Sequence, residues 1–251
     1  FLFLSVRALA MKLHTDTATL LRTTRAMGFS GYPNFRRYVH ELTIANATSL
    51  DSMLSGGGND SEIPAHVRES LDQDQKNFVA LCNTLDTRQL PRLAQRMWSV
   101  RRIILLGGDL AAALVFYLEH HLIMLGLPVF SATSPGRVVH LVRTAGKKDL
   151  VIAMSFHRAL RQTVEGMRHA KSKGAYAVGI TDTFVSPIAR FADECFIASV
   201  DTCHFGDSYV APMALLDVML VACANYRRQR VLALARDAAE EQKRGFRWYE
   251  E

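Results

Sequence analysis

Between residues 102 and 198, short aliphatic runs that are apolar at consecutive positions alternate with longer segments of helical periodicity. The predicted strands are Arg102–Leu106, Pro128–Ser131, Leu150–Met154, Tyr176–Thr181 and Glu194–Ala198, and the predicted helices around them are 65–85, 88–99, 110–125, 159–173 and 209–236. Strands that are apolar on both faces have to be covered on both faces, which α/β proteins achieve with helices above and below a parallel sheet. The alternation therefore predicts the α/β class, as a doubly wound parallel sheet.

The N-terminal part has helical periodicity without a strand signal. The helices predicted there are Val6–Leu13, Thr17–Met27 and Tyr32–Thr43. Asp16 suits an N-cap and Gly28 a glycine just past a helix end. Residues 47–64 are polar and glycine-rich, which is typical of a flexible linker. We therefore expect a small all-α domain at 1–46, a linker at 47–64 and the α/β domain at 65–251.

Basic residues are concentrated near the N-terminus, where residues 1–45 hold six Lys and Arg residues against two carboxylates. The whole chain carries a formal charge of +6, which fits binding to a polyanion without requiring it. Two short helices joined by a tight turn, with polar and basic side chains on the second, meet the requirements of a DNA-binding helix-turn-helix. The candidate DNA-binding residues are Thr17, Thr19, Arg22, Thr23 and Arg25. The alternative is a helix pair used for packing alone.

Several classes of protein are disfavoured by composition. The four cysteines contain no C-x-x-C pair, which favours reduced, buried thiols in a cytoplasmic protein. Cys203 and His204 are adjacent and lack spaced partners, so we expect no metal site, and no motif indicates a cofactor. The apolar residues 1–4 are too few for a signal peptide, and no run has the length of a membrane span.

The N-terminal helices resemble a known family. The segment from Ala8 through Ala18-Thr19-Leu20-Leu21-Arg22 to Met27-Gly28-Phe29-Ser30-Gly31-Tyr32 is similar to the RpiR-type helix-turn-helix over residues 5–43. In that family an Ala-Thr-x-x-Arg segment opens the recognition helix and a Leu-Gly-Phe-x-Gly-Tyr segment ends it. The resemblance implies DNA binding, and it implies further helices before Phe1.

The α/β domain resembles the SIS (sugar isomerase) domain, which follows the helix-turn-helix in RpiR-type regulators. The similarity extends from about Arg88 to Asn225 and rests on Ala170-Lys171, Gly174-Ala175, Thr181-Asp182, Ser186-Pro187-Ile188-Ala189 and Ala192-Asp193. The resemblance implies a phosphosugar site in the loops that follow parallel strands. Helix N-termini and backbone amides converge at such loops and favour anions.

Both of the family's ligand loops are altered in this chain. The first loop is Gly-x-Gly-x-Ser in the family and Gly107-Gly108-Asp109-Leu110-Ala111 here, so it gains a carboxylate and loses a hydroxyl. The second is Ser-x-Ser-Gly-x-Thr in many members, and here it keeps only Ser155 of those residues. The Ser-Phe-x-Arg pattern of residues 155–158 resembles a branch of RpiR-type regulators.

Two interpretations of the altered loops remain open. Arg158 is able to hold a carboxylate or phosphate through two hydrogen bonds, with His157 as a further, pH-dependent donor. Alternatively, Arg158 pairs with Asp109 in a site that has lost its ligand. The candidate effector-binding residues are Gly107, Asp109, Ser131, Ser134, Ser155, His157 and Arg158, with Thr133 nearby. Glu165 is a candidate acid–base residue if the domain is an enzyme, and otherwise a surface charge.

These observations favour a DNA-binding transcriptional regulator whose SIS-like domain senses an anionic sugar-type metabolite. The expected partners are double-stranded DNA, a sugar phosphate, sugar acid or amino-sugar derivative, and a second copy of the chain, as a homodimer or a dimer of dimers. We do not expect an enzyme or a membrane protein. The alternatives are a sugar-phosphate isomerase-type enzyme, which would not need residues 5–43, and a dimerisation module that binds nothing.

Overall fold

The computed structural model describes residues 6–27, 29–36, 38–39, 63–203, 206–243 and 245. Its elements in chain order are α1 (Val6–Lys12), α2 (Thr17–Ala26), α3 (Ile63–Thr84), α4 (Gln89–Ser99), β1 (Arg102–Leu106), α5 (Ala111–Met124), β2 (Val129–Ala132), α6 (Pro135–Arg143), β3 (Asp149–Met154), α7 (Arg161–Ser172), β4 (Tyr176–Thr181), α8 (Pro187–Phe191), β5 (Glu194–Ile197), α9 (Val210–Tyr226) and α10 (Arg228–Lys243). Residues 32–36 and 38–39 are also helical.

The five strands form one parallel sheet in the order β2-β1-β3-β4-β5. After β1 the chain adds β2 on one side, and it then returns to add β3 on the other side. The loops that leave β1 and β3 therefore diverge and open a crevice at the carboxyl edge of the sheet. This crevice is the usual ligand position in a doubly wound fold.

Alternate residues of each strand enter two separate hydrophobic clusters. Ile103 and Leu105 of β1 face the layer that contains α4, α5 and α9. Ile104 and Leu106 face the opposite layer, which contains α6, α7 and α8. All four side chains are completely buried. The predicted doubly wound α/β sheet is therefore confirmed, and its helices lie on both faces.

The main differences from the predicted elements lie in the short helices and at the C-terminus. Helices α6 and α8 were not predicted, and β2 extends one residue beyond Ser131, to Ala132. The helix predicted at 209–236 is two helices, α9 and α10, which meet at an angle of 100° about Arg227. The apolar α9 is packed in the core, whereas α10 has no buried residue, so the two helices follow different surfaces. Within the described ranges, no single helix is long and apolar enough to cross a bilayer, although α9 and α10 would pass that test together.

The N-terminal helices have a small core of their own. Leu9 and Ala10 of α1, Leu20 of α2 and Tyr32 are buried against one another. Gly28 and much of the third predicted helix lie outside the described residues, as does the greater part of the predicted linker. Helix α3 begins at Ile63, so the last two residues assigned to the linker belong to this helix.

A buried carboxylate fixes the amino edge of the sheet. Asp149, the first residue of β3, accepts hydrogen bonds from Arg101 Nε at 3.0 Å, from Arg102 at 3.3 Å and from the Gly146 amide at 2.9 Å. Its side chain is fully buried. Burial by itself raises the pKa of the Asp149 carboxyl, but the hydrogen bonds from the two guanidinium groups outweigh it, so the pKa is lowered.

Removal of this carboxylate charge should destabilise the fold. We expect Asp149→Asn to lower the free energy of unfolding at pH 7 by about 3 kcal/mol, because it leaves the half-buried Arg102 without its charged partner. Because the pKa of Asp149 is lowered in the folded protein, its contribution to stability is lost as the pH falls through that pKa. The free energies of unfolding of the wild type and Asp149→Asn should therefore become similar in acid.

Urea unfolding of both proteins at pH 7 and at acid pH measures this difference. The matched control is Asp86→Asn, whose carboxylate pairs with the exposed Arg88 at 2.8 Å. Because solvent screens this exposed pair, its loss should lower the free energy of unfolding much less than the loss of Asp149. Equal losses for the two variants would contradict a special role for Asp149.

Candidate functional site

The turn between α1 and α2 is held by an N-cap. Asp16 Oδ1 accepts a hydrogen bond from the Thr19 amide at 2.7 Å, and Oδ2 accepts one from Thr19 Oγ1 at 2.7 Å. The hydrogen bond from the Thr19 amide is the largest cause that lowers the pKa of Asp16. His14 adopts a left-handed conformation within this turn, with φ of 51°. The two helices are therefore joined by a tight, capped connection, as predicted.

The five candidate DNA-binding residues occupy different environments on α2. Arg22, Thr23 and Arg25 are exposed, whereas Thr17 and Thr19 are half-buried. Arg22 donates to Thr19 Oγ1 at 3.1 Å, and Thr23 Oγ1 donates to the Thr19 carbonyl at 3.0 Å. The helix thus presents two guanidinium groups and a hydroxyl to solvent, which are groups that bind phosphates and base edges.

The first ligand loop approaches its neighbours too closely for side chains. A Cβ atom on Gly107 would lie 2.6 Å from Val115 Cγ2, and one on Gly108 would lie 2.9 Å from Gln162 Nε2. The absence of a side chain at these positions lets the loop after β1 reach the first turn of α7. Gln162, which the sequence did not single out, is thereby placed beside the loop.

Two residues of the ligand loops have strained backbones. Asp109 has φ of 55° and His157 has φ of 47°, in the left-handed region that non-glycine residues rarely adopt. Ser155 is buried and its Oγ accepts a hydrogen bond from the Leu160 amide at 3.2 Å, which closes the second loop. Arg158, at the outside of this loop, is exposed. Strain of this kind is concentrated at functional sites.

A group of residues that the sequence analysis did not assign to the site adjoins these loops. His157 Nδ1 lies 3.0 Å from Asp207 Oδ1, in an ion-pair contact that is not aligned as a hydrogen bond. The Tyr209 ring lies 5.2 Å from that of Phe156, between centroids. Burial raises the pKa of Tyr209, and the charges of Asp207, Asp109 and Asp182 raise it further. The charges of carboxylates from three separate segments therefore act on this phenol.

The signal for these residues in the sequence is weak. Asp182 belongs to the Thr181-Asp182 segment, which was interpreted as a mark of the fold. Asp207 and Tyr209 precede α9 and do not directly follow a strand. The expectation that ligand residues lie in the loops after parallel strands therefore does not identify them. Their positions depend on the path of the chain between β5 and α9.

Three other candidates lie apart from this group of carboxylates. Ser131 is buried, with its amide and its hydroxyl both bonded to Glu119 at 3.0 and 2.7 Å. Ser134 is the exposed N-cap residue of α6. Glu165 pairs with Arg168 on the exposed side of α7. Ser131 is thus engaged in packing, and Glu165 is already paired with a cation.

The chemistry of the crevice suits a polar organic ligand. Carboxylates accept hydrogen bonds from hydroxyl or amino groups, and Arg158 offers a charge-assisted donor for an anion. No group of three or more His, Cys, Asp or Glu side chains within the described ranges is arranged to hold a metal ion.

The comparisons with known proteins agree with this architecture. Residues 96–222 match the SIS domain family, and the chain belongs to that family. A relative from Caldanaerobacter subterraneus subsp. tengcongensis, named an uncharacterized HTH-type transcriptional regulator, is 22% identical over 94% of this chain and 84% of its own length. The chain spans 66% of the length of two other relatives with HTH-type regulator names.

Two solved structures are also similar. The sugar isomerase domain of an RpiR transcription factor from Sphaerobacter thermophilus is 25% identical, with a TM-score of 0.66 over 71% of this chain and 99% of that domain. NanR of Vibrio vulnificus, in complex with ManNAc-6P, is 19% identical, with a TM-score of 0.64 over 96% of this chain and 87% of its own. The resemblance to RpiR-type regulators is therefore confirmed.

The His157–Asp207 contact should be visible in the titration of the histidine. The Asp207 carboxylate raises the pKa of His157 above its ordinary value of 6.5, against the effect of burial, and Asp182 and Asp201 raise it further. A raised native pKa stabilises the fold below the ordinary value, and this contribution is lost as the pH rises through the native pKa. We expect Asp207→Asn to lower the midpoint of the His157 titration in an NMR experiment, and to lower the melting temperature more at pH 6 than at pH 9.

Asp193→Asn is the control, because that carboxylate pairs with Lys171 at 3.0 Å. It should leave the His157 titration unchanged. A midpoint that is the same in wild type and Asp207→Asn would show that the contact does not form in solution.

Proposed function

We propose that this protein is a DNA-binding transcriptional regulator in which α2 is the recognition helix. The observation that carries the proposal is the capped α1–α2 pair, with Arg22 and Arg25 exposed, in the same chain as an SIS domain. Relatives of similar organisation have the names of HTH-type transcriptional regulators, which supports the same role here. Residues 1–46 would form the DNA-binding domain, with the effector and dimerisation domain starting at Ile63.

The effector, on this proposal, is an anionic sugar-type metabolite bound in the crevice between the loops after β1 and β3. Asp109, Asp182 and Asp207 would accept hydrogen bonds from its hydroxyl or amino groups, while Arg158 would hold its anionic group. The complex of NanR with ManNAc-6P supports a ligand of this class. The other candidate contacts are Gly107, Ser131, Ser134, Ser155 and His157, and we add Gln162 and Tyr209.

A regulator requires that effector and DNA binding are coupled. We infer that the protein pairs through its SIS domain and binds a palindromic site, so that an effector that changes the geometry of the dimer changes the affinity for DNA. Coupling of this kind is reciprocal, so DNA would change the affinity for the effector by the same factor.

An isomerase-type enzyme is the alternative, since the SIS fold also occurs in enzymes of this type. Ala111 and Leu160 stand where the family's ligand loops have hydroxyl side chains, and Glu165 is paired with Arg168. Both features weaken the enzymatic interpretation. We therefore propose a sensor that binds its ligand without converting it.

DNA binding can be tested with Arg22. We expect the full-length protein to bind its own promoter region, with half-sites about one helical turn or a multiple of that apart. Arg22→Ala should weaken the complex at least several-fold, because an exposed guanidinium on the recognition helix contacts phosphate or base. A gel-shift titration at low salt measures the affinities of the wild type and of Arg22→Ala. Lys76→Ala is the control, since it removes an exposed cation outside α2. The absence of a specific complex with the wild-type protein would contradict the proposed function.

Effector binding can be tested with Arg158. A thermal-shift screen of sugar phosphates, amino-sugar phosphates and sugar acids identifies a ligand, because one present at a hundred times its Kd adds about 2.7 kcal/mol of stability. Calorimetry with that ligand should then show that Arg158→Ala loses about 1.5–3 kcal/mol of binding free energy. Ala111→Ser should have a far smaller effect. An unchanged affinity in Arg158→Ala would mean that the arginine does not contact the ligand.

A further inference from the structure

The net positive charge of this protein is concentrated on one helical layer. Residues 135–148 and 161–173 contain eight Lys and Arg residues and one carboxylate, a formal charge of +7 against +6 for the whole chain. The rest of the chain is therefore close to neutral in sum. The two segments correspond to α6 and α7 together with the turns that follow them.

Four cations of this layer lie together with Arg101, which precedes β1, at the amino edge of the sheet. We call this surface the basic edge, and it consists of Arg101, Arg143, Lys147, Lys148 and Lys173. Lys173 Nζ donates to the Arg143 carbonyl, and the Arg101 amide donates to the Lys148 carbonyl at 2.8 Å. The Lys147 side chain packs against Gly174, which follows Lys173. These contacts join residues from three segments into one continuous surface.

The carboxylates near the basic edge do not neutralise it. Asp149 is buried and shares its single charge between Arg101 and Arg102. Asp193 pairs with Lys171, which is not part of the basic edge. Within the part of the chain that the structure describes, Arg143, Lys147 and Lys148 have no ion pair, and all three are exposed.

Favourable interaction with the helix dipoles of α6 and α7 explains only some of these positive charges. Arg143 and Lys171 lie in the last turns of α6 and α7, where cations interact favourably with the helix dipole. Lys147 and Lys148 lie beyond the last turn of α6, in the turn that leads to β3. They add positive charge to a surface whose cations already repel one another. A concentration of exposed like charge is the electrostatic footprint of a polyanion site.

We propose that the basic edge binds the phosphate backbone of DNA next to the site that α2 reads. This inference rests on the proposed function and adds a second DNA-contacting surface, in the SIS domain. The basic edge lies at the amino ends of the strands, whereas the crevice with Asp109, Asp182 and Asp207 lies at their carboxyl ends. An extended duplex therefore contacts the basic edge without entering the effector site or meeting its negative charges.

The test is the salt dependence of DNA binding by the full-length protein. The variant Arg143→Gln/Lys147→Gln/Lys148→Gln removes three exposed charges from the basic edge. Each phosphate contact contributes about 0.9 to the slope of log K against log salt concentration, so the slope should fall by about 2–3. Because phosphate contacts carry no sequence information, affinity for the promoter site and for a scrambled duplex should fall by the same factor, at least about tenfold.

The matched control is Lys76→Gln/Arg228→Gln/Arg236→Gln, which removes the same charge from exposed positions elsewhere. Its slope should stay within about 1 of the wild type. Equal effects of the two triple variants would assign the result to net charge and overturn the proposal. An unchanged slope in the basic-edge variant would also overturn it, and would leave that surface to a partner other than DNA.

A further comparison separates this inference from the proposed function. Arg22→Ala should lower the preference for the promoter site over the scrambled duplex, whereas the basic-edge variant should preserve that preference. Thermal melting of the basic-edge variant should match the wild type, since its three side chains are exposed. If the wild-type protein binds no duplex at all, the proposed function fails together with this inference. If it binds and only Arg22→Ala has an effect, the proposed function stands and the basic edge is excluded.

Discussion

The burial of both faces of the parallel sheet is the constraint on which the rest of this structure depends. Ile103 and Leu105 need one layer of helices, while Ile104 and Leu106 need another on the opposite side. Parallel strands can be connected only by crossovers, so each connection supplies part of a layer. The order β2-β1-β3-β4-β5 then makes the connections diverge between β1 and β3. The crevice is thus a consequence of how the sheet is covered.

The two edges of the sheet have opposite electrostatic character. At the carboxyl edge, burial and the charges of three carboxylates raise the pKa of the half-buried Tyr209, and Asp207 raises the pKa of His157. At the amino edge, a single buried carboxylate is shared by two arginines next to a group of exposed lysines. On the proposed function, a small polar ligand and a long polyanion would bind to separate surfaces of one domain.

The segment that leads to α9 has contacts with helix α3 as well as with the second ligand loop. Asn77 of α3 is buried and donates to the Asp201 carbonyl at 2.7 Å, while its Oδ1 accepts from Ser199 Oγ at 3.2 Å. The same segment continues to Asp207 and Tyr209, which contact the second ligand loop. Helix α3 is the element that follows the predicted linker.

The sequence by itself determined the strands, their parallel class and the capped helix pair, because these depend on periodicity and on residues close together in the chain. Tyr176–Thr181 is recognisable as a buried strand from its own composition, and Asp16 as an N-cap from its own chemistry. The glycines of the first ligand loop were likewise evident from the residues themselves. Only the tertiary structure decided that Ser131 bonds to Glu119, that α9 ends at Tyr226, and that Asp207 reaches His157. The physical reason is that such contacts join side chains far apart along the chain, and their partners are set by how the layers pack.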